Sequence, residues 1–304
     1  LKSRFFVVIF LLTAVVLAAQ ESPAVHFQPA STDGKLRIIV FGAHPDDCEH
    51  STGGVTAKYA KLGHHVKFVS LTTGDNGHYA MAGGVLAERR RAECAEAGRR
   101  LGVEAYDVIE NHSGELMPTL EMRRLVVRKI REWRADIVMF PRPWDYHPDH
   151  RATSQLVQDA AYVVTVPFFT SDTPALFKNP VFLYVQDNFT RPNPIRFDVA
   201  VSIDDVIDTK IAGLDAHVSQ MYEWGPFQQG RLNEVPKDPQ ARLAWLKKEQ
   251  FSRPMPGQLR QALRKWYGAQ ADSIRYAEGF EICELGRQPS QQELRKLFPF
   301  FPAK

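Results

Sequence analysis

Leu36-Arg37-Ile38-Ile39-Val40-Phe41-Gly42 runs directly into Ala43-His44-Pro45-Asp46-Asp47. The first stretch is rich in β-branched and aromatic residues and closes on a glycine, which describes a buried strand. The chemistry-bearing residues begin just past its carboxyl end. Downstream, the segment from Gly53 to Leu62 has helical character, with Gly63 as its stop. Val66 to Leu71 is the next strand, followed by the turn cluster Gly74-Asp75-Asn76-Gly77. A helix over Val85–Leu101 closes on Gly102, and Tyr106 to Ile109 gives a third strand. Met122, Val126, Ile130 and Trp133 then form one helical stripe, and Asp136 to Phe140 is a fourth strand.

Strand and helix in regular alternation predict an α/β chain. The expected architecture is a Rossmann-like, doubly wound, mostly parallel sheet with helices on both faces. In the second half, Val181–Val185 and Val199–Ile203 have strand character, and Val206–Tyr222 has helical character. Residues 225–258 carry several prolines and many polar residues, which suggests a surface excursion with a short helix. Leu259–Tyr276 resumes a helical pattern. No internal repeat or linker divides the chain, so residues 21–304 are expected to form one domain with a C-terminal helical extension.

At the other end, Lys2 and Arg4 precede an apolar run from Phe5 towards Ala19, and a polar Gln20-Glu21-Ser22-Pro23 stretch follows. A basic start, an apolar core and small residues at the exit describe a secretory signal over residues 1–20. The expected location is therefore secreted or periplasmic, with no membrane span left after cleavage; an uncleaved anchor is the alternative. Removing residues 1–19 takes two positive charges from a net +3 and leaves +1 (3 − 2). That balance argues against a nucleic-acid or anionic-membrane partner. Cys48, Cys94 and Cys283 show no paired spacing, so they suggest neither a disulfide framework nor a cysteine-based metal site.

A second cluster, Asp145-Tyr146-His147-Pro148-Asp149-His150, follows the Asp136–Phe140 strand. Both clusters thus sit beyond carboxyl ends of parallel strands, where open α/β sheets bind ligands. Histidines and carboxylates brought to one rim suit a catalytic metal with three protein ligands and one open position. His44 and Asp47 are close enough in sequence to chelate together, and either His147 or His150 completes the set. Asp46 is the natural general base, and a cationic His147 could stabilise an oxyanion. Ligation by histidine and aspartate suits Zn2+ and also admits Fe2+, cobalt or manganese.

These residues resemble the LmbE/PIG-L family of zinc-dependent de-N-acetylases. The family's HPDD motif stands at residues 44–47 and its HPDH motif at 147–150. The resemblance runs from about Arg37 to Gln220, with an echo at Tyr276-Ala277-Glu278-Gly279-Phe280. It implies zinc bound by His44, Asp47 and His150, Asp46 as base, and His147 at the oxyanion. It further implies a small N-acetylated substrate of amino-sugar type. Arg90 with Glu93 resembles a family pair whose arginine reaches toward substrate. Lys210, His217, Ser219 and Gln220 resemble a later helix in which His217 contacts substrate or supports the site. Where many members carry an aspartate for a sugar hydroxyl, this chain has Ser113. Gly53-Gly54 resembles a pair that lets a helix pack closely on the sheet.

Two rivals follow from the same residues. His44-x-Asp46 with His150 also spells a two-histidine, one-carboxylate iron triad, as in non-haem iron oxygenases, which usually build it on an antiparallel barrel. A secreted carbohydrate-binding protein of the same fold, without catalysis, is the other; the complete ligand set opposes it.

Overall fold

Why the first strand is continuously apolar becomes clear from its place in the sheet. A computed structural model of the chain describes residues 27–302 apart from residue 30, so the segment expected to be a secretion signal lies outside the described residues. The first half gives β1 (Arg37–Gly42), α1 (Asp47–Lys61), β2 (His65–Ser70), α2 (Gly83–Leu101), β3 (Ala105–Val108), α3 (Leu120–Trp133), β4 (Ile137–Phe140) and α4 (Pro148–Val163). The second half gives β5 (Val181–Val185), β6 (Val199–Ser202), α5 (Ile207–Asp215), α6 (Gly225–Gln228), α7 (Pro239–Phe251), α8 (Gly257–Tyr267), β7 (Ala277–Ile282) and α9 (Gln291–Leu297).

One seven-stranded sheet runs in the order β3-β2-β1-β4-β5-β7-β6. Neighbouring strands from β3 to β5 pair in parallel, and β7 pairs antiparallel with both β5 and β6. From β1 the chain winds outward to β2 and β3, then returns to place β4 on the other side of β1. This is the switch point where such sheets hold ligands. Ile38 and Val40 face a core shared with Val55 and Tyr59 of α1 and Leu101 of α2. Ile39 and Phe41 face the opposite core, with Val126 and Ile130 of α3 and Leu156 of α4. A parallel strand covered on both faces needs apolar residues at every position, not at alternate ones. Among the described residues no helix is long and apolar enough to cross a membrane.

The second half departs from expectation. The helix expected over 206–222 stops at Asp215, and Ser219–Trp224 continues as a π-helical turn. Side-chain ties pull this segment off the α-helical path. Ser219 donates from its amide and hydroxyl to Glu93 (2.9 and 2.5 Å), and Gln220 Nε2 donates to the Gly77 carbonyl (3.0 Å). π-Turns often accompany functional sites. The helix expected over 259–276 ends at Tyr267, where Gly268 takes φ +58°. Beyond it lies β7, a strand inside the expected helical extension, whose Ala277-Glu278-Gly279 start lacks the β-branched signature.

Several motif residues turn out to be braces. A Cβ on Gly54 would meet Ile203 at 2.6 Å, so α1 sits on its neighbour only because that position is glycine. Glu278 accepts from the Gly54 and Val55 amides (2.8 and 2.7 Å), and Lys210 Nζ bridges it (2.6 Å) to the His50 carbonyl (2.7 Å). Both side chains are buried. Glu278→Gln leaves the ammonium without its counter-charge, which costs about 3–5 kcal/mol. The expected result is a chemical denaturation midpoint lowered accordingly; an unchanged midpoint would show that the pair does not brace α1.

Candidate metal and active site

The two histidine clusters meet because β1 and β4 are adjacent. At the end of β1 the chain must turn sharply, and a Cβ on Gly42 would lie 2.7 Å from Asp47 Cβ. Asp47 folds back over the strand end, and its Oδ2 accepts from the amides of Ala43 (2.9 Å) and His44 (2.8 Å). Asp46 takes the residue before α1 with φ +113°, a conformation that costs most side chains free energy. After β4, Pro148 occupies the first turn of α4 and His147 caps it, Nδ1 accepting from the Asp149 amide (3.2 Å).

Three donor atoms converge between the turns. His44 Nδ1 and His150 Nε2 are 3.2 Å apart, and Asp47 Oδ2 lies 3.6 Å from the first and 3.4 Å from the second. Ligand atoms around a tetrahedral zinc at ~2.0–2.1 Å are separated by about 3.3 Å, so the triangle fits such an ion. His44, His147 and His150 also offer nitrogens within 4.8 Å of one another, a looser grouping. His147 Nδ1 is already engaged as a cap, so the tighter triangle is the better match.

Each histidine of the triangle has a carboxylate behind it. His44 Nε2 lies 3.0 Å from Asp149 Oδ2, and His150 Nδ1 lies 3.0 Å from Asp145 Oδ2. These partners keep a proton on the outer nitrogen and turn the other lone pair inward. Burial opposes the imidazolium of His44, but Asp149 and Asp47 outweigh it and raise the pKa to about 9. Burial also opposes the Asp47 carboxylate, yet His150 and His44 hold its pKa well below the usual range. Sequence reasoning gave Asp145 and Asp149 no role. Their signal was alternation with histidines inside residues 145–150. Asp149→Asn is expected to weaken metal binding about 10–100-fold, measured by chelator competition; an unchanged affinity would remove Asp149 from that role.

Asp46 stands beside the triangle. Burial raises its pKa, and Arg90 pulls the other way. A carboxyl tuned upward in this manner is suited to accept a proton near neutral pH. Burial lowers the pKa of His147, assisted by His44 and His150. Its Nδ1 accepts from the Asp149 amide, which leaves Nε2 as the nitrogen able to donate.

The triangle forms the floor of a pocket of about 610 Å³. Asn76 and Gly77 come from the loop after β2, Gln220 and Trp224 from the π-turn, and Arg231, Trp245 and Glu249 from the excursion after it. Ser113 lies in the wall, its Oγ 3.2 Å from Thr72 Oγ1. Arg90 reaches the wall too, but its donors serve the site itself. They reach the carbonyls of Pro45 and Gly74 and, at 3.3 Å, Asp46 Oδ1. Arg90 thus lines the pocket, as a reach toward substrate would require, and braces the HPDD turn as well. His217 is fully buried and does not border the pocket; its Nε2 lies 2.9 Å from Glu49 Oε1. Direct contact with substrate is excluded by that burial. Tyr146, Trp224 and Trp245 border the pocket, while Tyr79 stacks on Phe227 (4.5 Å between centroids) and Phe227 on Trp224 (5.9 Å) behind it. The three cysteines are buried and unpaired.

A diacetylchitobiose deacetylase from Thermococcus kodakarensis is 30% identical over 201 residues, an alignment spanning 63% of this chain and 74% of that protein. The PIG-L family profile, described as GlcNAc-PI de-N-acetylase, matches residues 39–161. The chain belongs to this PIG-L/LmbE family of de-N-acetylases. Among solved structures, an N,N'-diacetylchitobiose deacetylase from Pyrococcus horikoshii superposes with a TM-score of 0.61 at 24% identity, covering 84% of this chain and 88% of that one. A 4-carboxy-2-hydroxymuconate hydratase from Pseudomonas putida superposes equally well, TM-score 0.61 at 18% identity, covering 84% and 99%. These likenesses define the fold, and the hydratase illustrates that one fold carries more than one chemistry.

Proposed function

We propose that the chain is a metal-dependent hydrolase that removes an acetyl group from a small N-acetylated amino sugar or its conjugate. The observation that carries this reading is the 3.2–3.6 Å triangle of His44, Asp47 and His150 with Asp46 at its side. A divalent ion held there, zinc by the donor set, supplies a Lewis acid for the amide carbonyl and lowers the pKa of water. Asp46 takes a proton from the attacking water and returns one to the departing amine. His147 donates from Nε2 to the carbonyl oxygen as charge builds on it. Arg90 keeps Asp46 in place, and Asp149 and Asp145 fix the two ligand tautomers. Trp224 offers a face for a sugar ring and Gln220, Asn76 and Ser113 offer polar contacts. The family relatives named for diacetylchitobiose and GlcNAc-PI support this substrate class.

The oxygenase alternative loses ground on the scaffold alone, because the two histidines and the carboxylate stand at the rim of a mostly parallel sheet and not on an antiparallel barrel. Acetate release by the zinc-loaded chain, against a panel of N-acetylated mono- and disaccharides, tests the proposal. Release from at least one sugar amide, lost on chelation, is expected. No release from any member at full metal loading would overturn it.

A further inference from the structure

The metal-site residues are reached from two sides. Asp47, His50 and His150 border the main pocket, and the same three border a second cavity of about 300 Å³ lying toward β4 and β5. Phe41, Pro141 and Val185 give this chamber an apolar side, and Arg142 stands in its wall. Arg142 is only 3% exposed. Its Nη2 donates to the Asn193 carbonyl (2.8 Å) and its Nε lies 3.2 Å from Asp187 Oδ2. Nη1 is buried with no hydrogen-bond partner, and the Glu281 carboxylate is 3.9 Å from it. A buried guanidinium donor left unmatched is costly, so an acceptor belongs there.

The other carboxylates of the chamber are committed. Asp187 faces Arg142 Nε, Asp145 holds His150, and Asp47 accepts from two backbone amides. We propose that this chamber binds a small carboxylate through Arg142 Nη1 and is the exit of the acyl product, while the amine leaves through the main pocket. The inference rests on the de-N-acylation reading. In that reaction the amide C–N bond breaks and a C–O bond to water oxygen forms. Both water protons finish on the amine nitrogen and the acyl group departs as acetate. The product anion is generated on the wall shared by the two spaces, and the second offers it the unmatched Nη1–H of a guanidinium whose Nε is paired with Asp187.

Titration of the full-length chain, metal-loaded and metal-free, with [1-13C]acetate followed by NMR line broadening tests the site. Saturable binding in both forms is expected, at least tenfold weaker in Arg142→Gln and partly kept in Arg142→Lys. In the loaded enzyme, product inhibition by acetate should weaken by the same factor in Arg142→Gln, with inhibition by glucosamine unchanged. Asn188→Trp, on the exposed rim of the chamber, leaves the core untouched and should slow acetate exchange. Equal acetate binding by the wild type and Arg142→Gln would overturn the proposal. So would acetate binding only to the loaded form and lost only with His150→Ala, since the carboxylate would then sit on the ion. A chain that binds acetate through Arg142 but deacetylates nothing would keep the anion site and reject the functional reading.

Discussion

His150→Ala is expected to leave a folded chain that no longer retains its ion and whose deacetylation falls to background. One corner of the 3.2–3.6 Å triangle is removed, and Asp145 loses the imidazole it orients. The loss of affinity should exceed the about 10–100-fold caused by changing an outer carboxylate. Metal content after gel filtration gives the direct measure, falling from one equivalent to none. Thermal unfolding gives a second. An ion at 100 times its Kd stabilises the wild type by about 2.7 kcal/mol, and the variant should show no such shift. Undiminished metal content with wild-type activity would place the ion elsewhere, with the looser three-histidine grouping then also excluded.

Asp46→Asn separates catalysis from metal binding. Asparagine tolerates positive φ better than most residues, so the turn at φ +113° survives and the triangle is undisturbed. Loss of a general base typically costs about 10²–10⁴-fold in rate, and the expected outcome is a drop of that size with full metal content. A wild-type rate in a well-loaded variant would assign the proton transfer to another group. Asp46→Gly should lose activity equally and yet raise stability, because glycine relieves a backbone strain of about 1–3 kcal/mol. Denaturant midpoints of the two variants decide that point.

Much of this site is legible from the order of residues alone. A strand that is apolar at every position, followed at once by His44-Pro45-Asp46-Asp47, fixes both the parallel sheet and the rim from which chemistry proceeds. The second cluster after Asp136–Phe140 reads the same way. Less accessible was the division of labour among charged residues. Arg90 and His217 share their residue types with substrate-binding groups, and only burial and partner geometry show one bracing a turn and the other sealed beside Glu49. Asp145 and Asp149 went unassigned because an orienting carboxylate differs from a solvated one only by what stands opposite it. The β7 strand escaped for a different reason. Glu278 and Gly279 have low strand propensity, and they occupy the sheet through the contact of Glu278 with α1 and the close fit of Gly279 against Phe197.

His44 and His150 are 106 positions apart and become neighbours only when β4 docks on β1. A nascent chain ending before β4 therefore has no complete triangle, only the His44–Asp47 pair. On the proposed reading, capture of an ion by this triangle waits for the closing of the sheet, so a refolding experiment should show metal uptake no earlier than the pairing of β4 with β1.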